Sequence, residues 1–256
     1  MNNLNANEKS RGVLLFAFNT DTVDYVKIAE RASRLIKHTL GLPVTIITEM
    51  QSPQTNVRSG YARGTQWFNG DRYRAYELSP YDETILMDSD YLVLDNNLIK
   101  IMDTLDDYRI MTNNQSPRAS QDGDMGILSL DFVWATVVVF KKTAKTKKLF
   151  DLVGRIQRNY PYYGKLYHLR GKTFRNDYAF AIADNIINGY TSSPGIPWIM
   201  LTMENLIDKI EINKNMLIVR EATEAHVFAR QSMHIMDKDY LLSDQHEQFV
   251  DMICQE

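Results

Sequence analysis

The segment from Val13 to Ile47 constrains the fold most, because it combines two apolar runs with a helical repeat between them. Residues 13–18 and 44–47 have the continuous apolar character of strands that are buried on both faces. Between these runs, apolar residues recur at helical spacing from Tyr25, and Gly41 is a natural helix end. Strand, helix and strand within so short a span predict a βαβ unit, and therefore a parallel sheet.

The patterns in the rest of the chain extend this α/β arrangement. Further strands are predicted at residues 84–87, 91–94 and 134–140 and within 210–219. Helices are predicted at residues 71–78, 98–105, 141–158, 176–187 and 243–253, and loops at 51–70, 113–126 and 160–163. No internal repeat and no linker rich in Pro, Gly or Ser divides the chain. We therefore expect a single domain over residues 13–256, preceded by a flexible tail of residues 1–12.

Asp88 and Asp90 lie between two of the predicted strands. Alternate side chains on an extended chain point the same way, so two carboxylates one residue apart can hold one divalent cation. Such a site leaves other coordination positions open for substrate phosphates, which is how Mg²⁺ or Mn²⁺ is usually held. The other Asp-x-Asp patterns, at residues 122–124 and 237–239, lie in polar segments. The sequence context therefore selects Asp88 and Asp90 as the predicted metal site.

The composition argues against several classes of protein. A net charge of -3 argues against a strongly basic nucleic-acid clamp, although a local basic patch is compatible with it. No apolar run approaches the roughly 20 residues that a membrane span requires. The single Cys254 excludes an internal disulfide and suits a reducing compartment. We expect a soluble cytoplasmic protein of bacterial or phage type.

An ordered series of short motifs resembles the GT-A glycosyltransferases, nearest the glycogenin and galactosyltransferase-like families. The series comprises the opening strand, Arg72 and Arg74, and then the strings SPYDETILMDSDYLVLDN, WATVVVFKK, FRNDYAFAIA and HIMDK. The resemblance implies a GT-A type fold, with a Rossmann-like, mostly parallel central sheet flanked by helices. It also implies a transferase that moves a sugar from a nucleotide-sugar, foremost a UDP-sugar, to an acceptor.

The resemblance implies roles for individual residues. In those families the Asp-x-Asp holds Mn²⁺ or Mg²⁺ against the donor diphosphate, which implies Asp88 and Asp90 as metal ligands. A late histidine completes the metal shell and a lysine contacts the phosphates. His234 and Lys238 match this pattern, although the usual Gly and Pro-Trp near them are missing; His226 is the alternative ligand. The predicted nucleotide-sugar contacts are Phe18, Asn19, Asp21, Thr48, Arg72, Arg74, Ser89, Trp134, Thr136 and Lys238.

Asp177 begins the helix predicted at residues 176–187. A carboxylate at a helix start is often only a cap. In resembling enzymes such a carboxylate faces the sugar or the acceptor, as general base in inverting members or as a donor-sugar contact in retaining ones. Asn176 and Asp177 are therefore the predicted catalytic residues, and the stereochemical outcome is open. Trp134 and Thr136 begin the strand beside the sugar pocket in that fold, and are alternatively core residues.

The acceptor remains open among a glycan, a protein and a modified base in viral DNA. The DNA hypothesis follows from a basic cluster and a set of tyrosines, which are alternatively a solvated helix face and a packed loop. These residues are Lys141, Lys142, Lys145, Lys147 and Lys148, with Tyr160, Tyr162 and Tyr163. The oligomeric state is also open.

Three other functions are compatible with a carboxylate pair at a strand end. A phosphatase of the haloacid dehalogenase type would use Asp88 as its nucleophile, but it favours Thr or Val where this chain has Leu92. A nucleotidyltransferase would use the same carboxylates and the same kind of sheet. A non-catalytic nucleotide-binding protein would show no metal-dependent turnover and no loss on changing Asp88.

Overall fold

The computed structural model describes residues 9–49, 51, 55–57, 66–68, 70–112, 133–169, 174–191, 194–198 and 200–256. Its strands are β1 (Arg11–Phe16), β2 (Val44–Ile47), β3 (Thr55–Val57), β4 (Gln66–Phe68), β5 (Glu83–Asp88), β6 (Tyr91–Leu92), β7 (Tyr108–Thr112), β8 (Val133–Lys141), β9 (Leu201–Met203), β10 (Lys209–Asn213), β11 (Met216–Arg220), β12 (Ala225–Ala229) and β13 (Met233–Ile235). Its helices are α1 (Tyr25–Leu40), α2 (Ala75–Leu78), α3 (Asn97–Asp103), α4 (Ala144–Arg158), α5 (Tyr160–Leu166), α6 (Asn176–Ile187), α7 (Lys238–Leu242) and α8 (Asp244–Cys254), with a 3-10 turn at Arg72–Arg74.

A five-stranded sheet forms the centre of the fold, in the order β2–β1–β5–β8–β7. Strand β1 is parallel to both β2 and β5. Strand β8 is antiparallel to its neighbours β5 and β7, so β7 runs in the same direction as β5. The predicted α/β class with a mostly parallel central sheet is therefore confirmed, with β8 as the one reversed strand of this sheet.

Helices cover both faces of the central sheet. Val13 and Leu15 of β1 pack in a cluster with residues of α1 and α8, whereas Leu14 packs in a second cluster with residues of α4 and α6. Alternate side chains of one strand thus enter two different cores, as expected for a strand buried on both faces. This explains why residues 13–16 are apolar without a break.

The helix ends follow local chemistry. Asp24 caps α1 by accepting a hydrogen bond from the backbone N–H of Lys27 at 3.0 Å. Gly41 ends α1 with φ of 67°, a left-handed conformation that glycine adopts without steric cost. Gly189, which follows α6, adopts the same left-handed conformation, with φ of 65°. The bounds predicted for the first helix and for residues 176–187 are both confirmed.

Several sequence predictions differ from the structure. The helix predicted at residues 141–158 covers Ala144–Arg158, because Lys141 belongs to β8, and the strand predicted at residues 91–94 covers Tyr91–Leu92. Strand β1 covers Arg11–Phe16, so it begins before Val13 and ends before Phe18. The segment 51–70, predicted as a loop, contains the antiparallel pair β3 and β4. Residues 160–163, also predicted as a loop, begin α5, where Pro161 occupies the first turn and the missing N–H costs no helical hydrogen bond. The predicted loop at 113–126 and residues 1–8 of the predicted tail lie outside the described residues.

Two smaller sheets lie beside the central one. Strands β6, β13 and β9 form one sheet, and β10, β11 and β12 form an antiparallel meander. Among the described residues, no helix combines the length and apolar composition that crossing a bilayer requires.

The 3-10 turn Arg72–Arg74 packs closely against α4. A Cβ atom built on Gly154 of α4 would lie 2.6 Å from Cδ2 of Tyr73, a distance that real side chains do not tolerate. Gly154 therefore allows the Tyr73 ring to lie directly on the helix backbone. The neighbouring residue, Arg72, is buried.

His246 provides a test of the packing of α8. Its side chain is buried beside the rings of Tyr240 and Phe249, and burial together with the nearby Arg31 lowers its pKa to about 3. A folded-state pKa below the unfolded value of about 6.5 means that unfolding takes up a proton at acidic pH. The contribution of His246 to stability is therefore complete above pH ~6.5 and falls by about 1.4 kcal/mol per pH unit as the pH decreases towards the folded-state pKa.

We expect His246→Phe to remove this part of the pH dependence, because phenylalanine fills a similar volume and does not titrate. Urea unfolding of both proteins between pH 7 and pH 4.5 measures the difference, and carboxylates that titrate in both proteins cancel. Parallel stability curves for the two proteins would contradict the assignment.

Candidate metal and nucleotide site

Backbone pairing brings distant parts of the chain together at the carboxyl end of β5. The chain leaves β5 at Asp88, turns through the buried Ser89 and the largely buried Asp90, and continues as β6. Strand β6 pairs antiparallel with β13, with His234 opposite Tyr91, and the N–H of Ile235 donates to the carbonyl of Asp90 at 3.0 Å. His234 is thus held beside the aspartates by main-chain hydrogen bonds.

Asp88, Asp90 and His234 together offer the ligands for a metal ion. One ligand atom from each side chain lies within 4.8 Å of the other two. His234 Nε2 lies 3.1 Å from Asp90 Oδ1, and this buried oxygen has no hydrogen-bond partner in the described part of the chain. Two carboxylates and one imidazole suit Mn²⁺ well and are compatible with Mg²⁺. The residues present therefore fit a divalent cation.

Lys238 balances the charge of Asp90. Its Nζ lies 2.5 Å from Asp90 Oδ2 and also donates to the carbonyl of Ile235 at 2.9 Å. The side chain is 7% exposed, so the ion pair is largely shielded from water. Asp237, the residue before Lys238, caps α7 by accepting from the N–H of Tyr240 at 3.1 Å and thereby fixes the start of this short helix.

Arg72 pairs with the other aspartate. Its guanidinium donates to Asp88 Oδ1 at 2.5 Å, to the carbonyl of Ala135, and to the carbonyl of Thr136 at 3.3 Å. It thus connects the end of β5 to the first residues of β8. Arg74 points elsewhere, because its guanidinium lies 2.5 Å from Gln51 Oε1 and near Asp71 and Glu77. The structure therefore separates two arginines that the sequence made equivalent.

The two aspartates have opposite electrostatic environments. Burial raises the pKa of Asp88; the Arg72 charge opposes this shift and the negative charge of Asp90 adds to it. Burial would also raise the pKa of Asp90, but Lys238 and His234 outweigh it and hold that pKa well below its usual range. Asp90 is therefore the more firmly ionised of the two. Tyr25, at the start of α1, lies close enough that burial and both carboxylates raise the pKa of its phenol.

Asp177 begins α6 and faces β8. Its Oδ1 accepts from the N–H of Ala135 at 2.8 Å, and its Oδ2 accepts from Arg175 Nε at 2.9 Å and Nη2 at 2.6 Å. The Arg175 guanidinium also lies over the rings of Trp134 and Tyr178, at 5.4 and 5.5 Å from the ring centroids. The negative charge of Asp177 also contributes, as the smallest of several causes, to the raised pKa of Asp88. Asn176 is buried at the first position of α6.

The residues predicted after β1 and β2 follow the same edge of the sheet. Phe16 is in register with Ile47 of β2 and with Asp88 of β5, so the three strands end together. Beyond these ends Phe18 is buried, whereas Asn19, Asp21 and Thr48 are exposed. Asn19 Oδ1 accepts from the N–H of Val26 at 2.9 Å and so also caps the first turn of α1. This edge is where open α/β sheets bind ligands.

The basic cluster has partners on the protein itself. Lys141 lies 3.5 Å from Glu83, Lys142 donates to the carbonyl of Ser79, Lys145 lies over the Tyr108 ring and Lys147 lies 2.7 Å from Asp151. Of the five lysines, Lys141 and Lys147 are therefore paired with carboxylates. Of the predicted tyrosines, Tyr162 is 66% exposed. His226 lies on β12, 3.6 Å from Glu221, outside the group formed by the two aspartates and His234.

Sequence reasoning missed two residues near this site, Tyr25 and Arg175. In the sequence, Tyr25 marks only the start of a helical repeat. The available signal is its position at the first turn after β1, since that turn faces the ligand edge of an α/β sheet. Arg175 lies two residues before Asp177, and nothing in this spacing indicates that the arginine would pair with that carboxylate.

Comparison with known proteins finds distant similarity to several solved structures. No family model matches the sequence, and no curated protein matches it. The chain is similar to the glycosyltransferase GlyE of Streptococcus pneumoniae TIGR4, with 13% identity, 70% of this chain and 43% of that chain covered, and a TM-score of 0.40. It thus spans less than half of the GlyE chain.

Two further solved structures are similar at the same level. One is the galactosyltransferase LgtC in complex with donor and acceptor sugar analogs (12% identity, 67% of this chain and 70% of that chain, TM-score 0.43). The other is mouse xyloside xylosyltransferase 1 in its apo form (11% identity, 71% and 83%, TM-score 0.40).

The ion pair between Asp90 and Lys238 is open to a double-mutant test. Asp90→Asn leaves a buried ammonium without a counter-charge, and Lys238→Met leaves a buried carboxylate, so each single change destabilises the fold. We expect the double variant to be more stable than the sum of the single changes predicts, with a coupling of at least about 2 kcal/mol in urea unfolding.

The matched control is the exposed pair of Lys147 and Asp151, whose side chains are 59% and 64% exposed. Its cycle should show little coupling, because water screens the two charges. Equal coupling energies in the two cycles would contradict the buried character of the Asp90–Lys238 pair.

Proposed function

We propose that this protein is a metal-dependent glycosyltransferase of the GT-A type, and that it transfers a sugar from a nucleotide-sugar, preferentially a UDP-sugar, to an acceptor. The observation that carries the proposal is the cluster of Asp88, Asp90 and His234 at the carboxyl end of the mostly parallel sheet, with their ligand atoms within 4.8 Å of one another. These three residues would hold Mn²⁺ or Mg²⁺. A bound cation of this kind supplies Lewis-acid stabilisation of the charge on a leaving nucleoside diphosphate.

The residues around the cluster would bind the donor. Lys238 and Arg72 each pair with one of the two aspartates, so two cationic side chains lie beside the place where a diphosphate would bind. Guanidinium and ammonium groups bind phosphate oxygens through charge-assisted hydrogen bonds. Asn19, Asp21 and Thr48, exposed after β1 and β2, would contact the nucleoside, as ligand-edge residues do in α/β sheets.

Asp177 is the proposed catalytic carboxylate. Arg175 and the N–H of Ala135 together orient both of its oxygens, which holds the group in one position beside Trp134. An oriented carboxylate can accept the proton of an attacking hydroxyl or contact the donor sugar. The acceptor would be a glycan, a protein or a modified base in viral DNA, in a protein of bacterial or phage type acting in the cytoplasm.

The first test is a donor screen. The protein is incubated with Mn²⁺ or Mg²⁺ and a panel of nucleotide-sugars, and release of nucleoside diphosphate is measured. We expect slow hydrolysis of one donor that a chelator abolishes and that Asp88→Asn reduces by about 100-fold or more. Binding of Mn²⁺, measured by the loss of the free-ion electron paramagnetic resonance signal, should weaken in the same variant.

Asp239→Asn is the matched control, because Asp239 belongs to another Asp-x-Asp pattern and is exposed on α7. It should keep both donor hydrolysis and Mn²⁺ affinity. Release of pyrophosphate instead of nucleoside diphosphate would identify a nucleotidyltransferase, and release of inorganic phosphate alone a phosphatase. Unchanged Mn²⁺ affinity in Asp88→Asn would refute the metal site.

The second test concerns Asp177. Asparagine can still accept the hydrogen bond from Ala135 but cannot take a proton, so Asp177→Asn should lower kcat for transfer by about 100-fold or more while the donor KM changes little. Arg175→Lys keeps one positive charge beside the carboxylate and should retain more activity. A variant Asp177→Asn with the kcat of the unmodified protein would exclude a role as general base.

A further inference from the structure

Strand β12 (Ala225–Ala229) forms an edge of the antiparallel sheet β10–β11–β12. It pairs with β11 on one side, and no other strand among the described residues pairs with its second side. Beyond the two ends of this pairing, Arg230 donates to the carbonyl of Asn215 at 2.7 Å and Glu221 donates to the carbonyl of Glu224 at 2.9 Å.

These two hydrogen bonds fix which backbone groups face the open edge. In an antiparallel ladder, residues alternate between pairs that exchange hydrogen bonds and pairs that do not. Because positions 224 and 230 bond towards β11, the N–H and C=O groups of Ala225, Val227 and Ala229 point away from β11. The open edge therefore presents alternate backbone donors and acceptors over the length of the strand.

Within β12 itself, three of the usual protections of an edge strand are missing. Strand β12 contains no proline and no lysine, and its ladder with β11 has no bulge. The side chains beside the outward backbone groups are alanine, valine and alanine, and Val227 is 55% exposed. An uncharged, regular edge of this kind is a template for pairing with another strand.

We infer that β12 pairs antiparallel with β12 of a second copy of this chain, about a two-fold axis at Val227. In this register Val227 lies opposite the partner's Val227, and Ala225 lies opposite the partner's Ala229. All three outward residues then exchange backbone hydrogen bonds, and the two meanders join into one continuous sheet. The interface is isologous, as in most homodimers.

Charge complementarity selects this register. Glu224 would lie directly opposite the partner's Arg230, and by symmetry Arg230 would lie opposite the partner's Glu224. The Glu224 side chain is 69% exposed, and Arg230 is held near the strand end by Glu256 at 2.8 Å. Opposite charges that face each other across a strand pair stabilise it. Moving the axis to Ala225 or Ala229 would place Glu224 opposite histidine or Arg230 opposite phenylalanine, and would lose both ion pairs.

The first test is sedimentation equilibrium of the full chain. We expect the unmodified protein to dimerise and Val227→Pro to be monomeric, because proline removes an N–H that points outward and spares the ladder with β11. Val227→Thr, which keeps the N–H, should still dimerise. Circular dichroism and thermal melting establish whether each variant is folded.

Exchanging the two charges tests the β12 dimer and its register independently of the proline variant. Glu224→Arg should weaken the dimer by about tenfold, because like charges then face each other. Adding Arg230→Glu should restore it, since the pair is present again with its signs reversed. A monomeric unmodified protein would overturn the inference, as would a dimer that persists in both Val227→Pro and Glu224→Arg.

Discussion

The short antiparallel pairing of β6 with β13 is the interaction on which the candidate site depends. It joins the turn after β5 to a segment late in the chain, through the hydrogen bond from Ile235 to the carbonyl of Asp90. Strand β13 is secured in turn by its parallel pairing with β9. Without this ladder, His234 would have no reason to lie beside Asp90, because no local pattern connects them.

Two carboxylates lie together at this site in a region of restricted water access, so their negative charges have to be compensated by nearby cations. Each has its own cation, Arg72 for Asp88 and Lys238 for Asp90, so neither negative charge is left uncompensated. Uncompensated buried charge is among the most destabilising features a fold can contain. Because these four charges balance, the positive charge that a phosphate ligand requires would come from the divalent cation proposed for this site.

Local sequence patterns predicted the elements whose formation depends on residues that are close together in the chain. The helix from Tyr25 to Leu40 and the one from Asn176 to Ile187 were predictable because apolar spacing and glycine stops act within one element. The hairpin of β3 and β4 was not predictable, because its polar residues resemble those of a loop. The pairings of Arg175 with Asp177 and of Arg72, rather than Arg74, with Asp88 depend on how the 3-10 turn and α6 pack against β8, which no sequence spacing encodes. For His234 and Lys238, only the resemblance to a family predicted a position beside the aspartates, where the structure has them.

The contact between Tyr73 and Gly154 links the turn that carries Arg72 to the packing of α4. The tyrosine ring rests on the bare backbone of α4, and Arg72 is its immediate neighbour in the chain. A Cβ atom at position 154 would force the Tyr73 ring or its turn to shift, and a shift of the turn would move Arg72 relative to Asp88. The distance between α4 and the 3-10 turn thus affects the charge balance at the end of the sheet.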